Sequence, residues 1–150
     1  MATGIQQQGE LMSALVGTWE QSSRKVAELA AVIPAAEFDS RPLTGIRSVS
    51  ELLRHVAFWN QYVADTLRGK KADDMGNELP PTAYATKASI IEALSGSSVD
   101  VATALREYHP PLDLKATELI MTFVKHTSEH YGQLVVYTRL MGIVPPASQT

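Results

Sequence analysis

Three histidines carry the chemistry that can be read from this chain. His126 and His130 stand four residues apart in VKHTSEHYGQLVVYTRLMGIVPP, and His55 stands in SVSELLRHVAFWNQYVADTL. On a helix advancing roughly 100° per residue, His126 and His130 are about 40° apart, with Gln133 and Tyr137 each about 20° from His126, so the four share one stripe. Leu119, Thr122 and Phe123 continue that stripe and Leu134 and Leu140 flank it, which puts the imidazoles on the inward face. His55 sits likewise at the edge of an apolar stripe of Leu52, Val56, Trp59, Tyr62 and Val63.

Two neutral imidazoles one helical turn apart can chelate one divalent ion, the use to which zinc sites put His-x-x-x-His, although that spacing alone is a weak signal. The third inward histidine strengthens it. Imidazoles buried without partners would cost several kcal/mol together, so either a metal or a hydrogen-bonded network with water must satisfy them. The metal reading names His55, His126 and His130 as ligands. Polar neighbours that could orient a ligand ring, or act as a base, are Glu129, about 60° off the ligand line, and Gln133, on it. His109 precedes two prolines in a loop and is left out of the site. The chain has no cysteine, so thiolate ligands, disulfides and an internal thiol nucleophile are all excluded. Any thiol chemistry must use a thiol brought in by a substrate.

Four helices must position these residues, because apolar spacings of three and four dominate and no segment keeps a period of two. The first is expected from about Gly9 to Ile33, with Leu11, Leu15, Val16, Trp19, Val26, Leu29 and Ala30 facing inward and Pro34 ending it. The second starts near Ser48, where Ser48 and Glu51 match a capping box, and ends near Gly69. Residues 69–85 form a long connection without periodicity, either placed over a site or a plain surface loop. The third helix is expected from Thr86 to about Tyr108, with a kink or break at SGSS, residues 95–98. The fourth starts between Asp113 and Thr117 and runs to Met141, with Arg139, Gly142 and Pro145-Pro146 marking its end. The expected fold is therefore all-α: a single-domain four-helix bundle over residues 1–150 with a long connection between helices two and three. Facing helices carrying Glu-x-x-His pairs, as a carboxylate-bridged di-iron site requires, are absent.

A formal charge of -3 argues against a phosphate-tracking basic face, hence against nucleic acid as a partner. No apolar run approaches the roughly 20 residues that span a bilayer, and MATGIQQQGELM shows no secretory pattern, so the expectation is a cytoplasmic protein without membrane association.

SVSELLRHVAFWNQYVADTLRGK followed by KHTSEHYGQLVVYTRLMGIVPP resembles the DinB family of bacterial four-helix bundles, over almost the full chain. The residues that carry the likeness are Ser48, His55, His126, His130, Gly132, Gln133, Leu134, Arg139, Gly142 and Pro145-Pro146. The resemblance implies one divalent ion, zinc or nickel, on His55, His126 and His130, with positions open to water or substrate, and it implies a homodimer. It also implies transfer of a low-molecular-weight thiol such as bacillithiol or mycothiol to a small-molecule substrate, or isomerisation with a thiol cofactor. The family's common pattern has His before the last ligand and Arg after it; here Glu129 and Tyr131 stand there, which alters the charge near the site. Two further readings of the reaction are a metal-dependent hydrolase and a stress-related binding or structural bundle whose ion staples helices two and four.

Overall fold

The computed structural model describes residues 2–109 and 112–149. Four helices account for most of them: α1 (Ala2–Val32), α2 (Val49–Leu67), α3 (Lys87–Arg106) and α4 (Leu114–Leu140), with short 3-10 turns at Ala35–Glu37 and Pro146–Ser148 and no strand among the described residues. α2 packs most extensively on α3, α1 lies against both α3 and α4, and the α2–α4 seam is the thinnest. Around the bundle the order is therefore α1, α3, α2, α4, with α1 and α2 on a diagonal.

Local sequence explains the ends of α2. The Ser48 hydroxyl accepts from the Glu51 amide (3.2 Å) while the Glu51 carboxylate accepts from the Ser48 amide (2.8 Å), satisfying two amides that the first turn leaves free. At the other end Gly69 takes φ +69°, the left-handed conformation that lets the chain leave the helix. α4 starts on Asp113, which accepts from the Ala116 amide at 2.7 Å, and stops at Gly142, with φ +76°.

Two apolar clusters fill the bundle. One gathers Val26, Leu29, Ile33, Phe38, Leu52, Leu53, Val56, Ile90, Leu94 and Leu134; the other gathers Trp19, Val63, Ala64, Val101, Leu105 and Ile120.

The structure corrects the sequence reading in four places. α1 starts at Ala2 rather than Gly9, because the polar TGIQQQGE segment contains no residue that must break a helix, and Gln6 bonds to Glu10 one turn on (3.2 Å). Leu11 is 47% exposed rather than inward: the inner stripe of α1 begins with Met12, Leu15 and Val16, which pack against the cluster of Trp19, Leu105 and Ile120, and Leu11 lies outside it. SGSS does not break α3, since Ser97 and Ser98 both return their hydroxyls to the Leu94 carbonyl (3.0 and 2.8 Å) and receive the buried Asn60 amide (3.2 Å each). Leu140 and Thr122 are exposed instead of extending the inner stripe of α4. Leu140 lies one turn beyond Tyr137, whose hydroxyl already reaches Arg47 before the start of α2, so no helix faces it.

The connection from α2 to α3 is clamped rather than loose. Arg54, buried in α2, pairs with Glu78 (Nε to Oε1, 2.6 Å) and donates to the Tyr84 carbonyl (3.2 Å). Leu79 buries itself against Ala57 and Phe58. Gly76 passes so close to Phe58 that a Cβ there would stand 2.7 Å from the ring.

Candidate metal centre

The thin α2–α4 seam is where the three histidines meet. His55 lies in the middle of α2 and is buried; His126 and His130 lie one turn apart on α4 and are half-buried. The His126 Nε2 is 2.9 Å from His55 Nε2 and 3.1 Å from His130 Nε2. One ligand atom from each of the three lies within 4.8 Å of the other two, so the group could hold a metal ion.

The outer nitrogens decide what those inner nitrogens carry. His55 Nδ1 is 2.7 Å from the Asn77 carbonyl oxygen, which can only accept, so the ring proton is on Nδ1 and Nε2 presents a lone pair. His130 is oriented by a longer chain of hydrogen bonds. The Tyr137 hydroxyl donates to the Arg47 carbonyl (2.9 Å), which obliges it to accept from the Gln133 amide nitrogen (2.7 Å). That turns Gln133 Oε1 toward His130 Nδ1 (3.1 Å), where it accepts the ring proton. His130 Nε2 is therefore also a bare lone pair. Two lone pairs converge on one nitrogen of His126, and a single proton on that nitrogen cannot point at both. A shared cation satisfies all three: nitrogens around a tetrahedral zinc at about 2.0–2.1 Å stand about 3.3 Å apart, close to the spacing here.

Electrostatics favour the neutral rings that a metal needs. Burial, reinforced by the charges of His130 and His55, pushes the His126 pKa down to about 3. Burial also lowers His55 and His130, opposed in part by their bonds to Asn77 and Gln133. On one side the site is walled by aromatic rings: Phe123 lies edge-on to His126 (5.7 Å between centroids) and stacks on Trp59 (5.7 Å). Trp59 in turn donates to the Asn77 side chain (3.0 Å), fixing the residue whose carbonyl orients His55.

Of the two polar neighbours expected on α4, Gln133 touches a histidine and Glu129 does not. The Glu129 carboxylate is 62% exposed and pairs with Lys125 (3.7 Å). Tyr131 packs against the core cluster nearest α1, with Lys25 5.8 Å over its ring, rather than facing the histidines. His109 is exposed. Asn77, Trp59 and Arg47 were not expected at the site. Trp59 sits on the same face of α2 as His55, a turn away, so helical spacing could have shown it. Asn77 acts through a backbone carbonyl and Arg47 lies in a segment without periodicity, so neither leaves a mark in the sequence.

Fold and site together define an all-helical bundle with a three-histidine centre between its second and fourth helices. The chain belongs to the DinB superfamily, whose sequence model matches residues 18–134, a span containing all three histidines and Gln133. No curated protein matches the chain. Among the described residues, no helix is long and apolar enough to cross a membrane.

Proposed function

We propose that this protein is a metal-dependent enzyme that binds one zinc or nickel ion through the Nε2 atoms of His55, His126 and His130 and transfers a low-molecular-weight thiol to a small-molecule substrate. The observation that carries the metal part is the pair of ring protons held outward by Asn77 and Gln133, which leaves lone pairs converging inside. When bound, such an ion supplies Lewis-acid chemistry that deprotonates a coordinated thiol or water near neutral pH. The chain's own residues do the rest: Asn77 and the Gln133–Tyr137 pair hold the rings, and Trp59 and Phe123 close one side to water. The thiol comes from a substrate because the chain has no cysteine.

The exposed, ion-paired position of Glu129 weighs against a hydrolase in which it is the base. The thin α2–α4 seam favours a second reading, in which the ion chiefly staples those helices. Metal content of the purified protein, followed by turnover with paired thiols and electrophiles, separates the two. Metal with turnover supports the enzyme, and metal with a chelator-sensitive melt and no turnover supports the staple. The homodimer and the cytoplasmic location belong to the same proposal; light scattering tests the first.

A further inference from the structure

We propose that Arg47 and Gln133 form a subsite for one carboxylate group of the small-molecule substrate, in the open cavity beside the three histidines. The proposal rests on the metal-enzyme reading and adds the charge class of what that site takes.

The cavity measures about 720 Å³, within the size range of small-molecule sites, and Arg41, Ile46, Arg47, Glu51, Glu78 and Gln133 border it. Counted with Arg54 behind Glu78, three arginines face two glutamates here. Arg41 pairs with Glu51, and Glu78 pairs with Arg54 from behind at 2.6 Å, so both carboxylates are engaged. Arg47 is half-buried and, among the described residues, makes no ion pair and no side-chain hydrogen bond. Arg47 lines this cavity together with Gln133, the residue bonded to His130, so it stands on the side that borders the centre.

The backbone of Arg47 is held. The Arg47 carbonyl accepts from Tyr137 at 2.9 Å, and the next residue, Ser48, caps α2. Gln133 is bonded to His130 on one side and lines the cavity on the other, so it links the cavity to the centre. An unpaired guanidinium on a fixed backbone presents a planar fork that a carboxylate fills with two parallel hydrogen bonds. One surplus positive charge with Glu51 and Glu78 nearby suits a single negative charge and disfavours a dianion such as phosphate.

The test is a nuclear magnetic resonance titration of the isotope-labelled, metal-loaded protein with butyrate, butyramide and inorganic phosphate. Butyrate is expected to bind roughly tenfold tighter than butyramide, and tighter than phosphate, shifting the signals of Arg47, Gln133 and their neighbours. In Arg47→Gln butyrate falls to the level of butyramide, and Arg47→Lys lies between. Equal affinity for butyrate and butyramide, or butyrate binding unchanged in Arg47→Gln because the metal alone holds the anion, overturns the subsite. Metal stoichiometry, measured on the same samples, reports separately on the metal-enzyme reading. If no metal loads, the titration on the protein as purified still decides the role of Arg47.

Discussion

The hydroxyl of Tyr137, near the end of α4, donates to the backbone carbonyl of Arg47, two residues before α2 begins, at 2.9 Å. That one bond sets the direction of every proton between it and His130. With the hydroxyl committed, the Gln133 amide cannot flip, and the His130 ring must turn its lone pair inward. Tyr137→Phe removes the constraint while keeping the ring that fills the core. We expect divalent-metal affinity to fall roughly tenfold, in the range seen for partners that orient metal-binding histidines. Stability should change by only about 1 kcal/mol. Competition against a chromophoric chelator measures the affinity, and an unchanged value would show that Gln133 is held without Tyr137.

Gly76 is expected to be intolerant of a methyl group. A Cβ there would meet Phe58 at 2.7 and 2.9 Å, and Phe58 is packed under Leu79, so the loop rather than the ring must move. Gly76→Ala should cost about 1–3 kcal/mol and, by shifting Asn77 off His55, should also weaken metal binding. Thermal melts with and without metal check both effects, and a variant that melts like the parent would mean the connection is looser than described.

His126 sits between the other two rings, so it is the ligand whose removal is least compensated. His126→Ala should reduce bound metal from one equivalent to nearly none, whereas replacement of the exposed His109 should leave it intact. Elemental analysis of the two purified variants decides this, and retained metal in His126→Ala would remove the centre from consideration.

The pH dependence follows from the lowered pKa of His126. In the unfolded chain its imidazole takes a proton below about 6.5, while the metal-free folded protein resists protonation there until about 3. Between those values the unfolded state binds more protons, so stability falls as pH drops from about 6.5 toward 3 and is insensitive to this group at higher pH. The lowered His55 and His130 act in the same direction. Urea midpoints of the metal-free protein should therefore be lower at pH 5 than at pH 7.5, by a smaller margin in His126→Ala. Bound metal should persist through the upper part of that range and be released toward its acid end, since ligation competes with protonation of the folded rings. A flat profile would place the imidazoles in water.

Much of this could be read before folding was considered. Helix ends rest on short-range chemistry, and Ser48 with Glu51, Gly69, Asp113 and Gly142 do in the structure what their types and neighbours imply. The inward direction of His55, His126 and His130 was legible for a similar reason: a helix turns by a constant angle per residue, so a stripe is a property of spacing. Where the reading failed, the missing fact concerned a neighbour. Leu11 and Leu140 are apolar and correctly spaced, yet each lies outside the packed clusters at one end of its helix. Ser97 and Ser98 look like breakers until Asn60 on α2 gives them partners inside the bundle.

The sequence by itself determined four helices, their caps, the absence of a thiol and three imidazoles on inner faces, because each depends on contacts within a turn or on composition. Only the tertiary structure decided that the imidazoles share one point, that Asn77 and Gln133 hold their protons outward, and that Arg47 stands unpaired beside them. Gln133 lies within a turn of His130, but its orientation depends on Tyr137 reaching Arg47; that bond and those of His55 to Asn77 and His126 join residues 22 to 90 positions apart, and such distances are closed by packing, which no local pattern records.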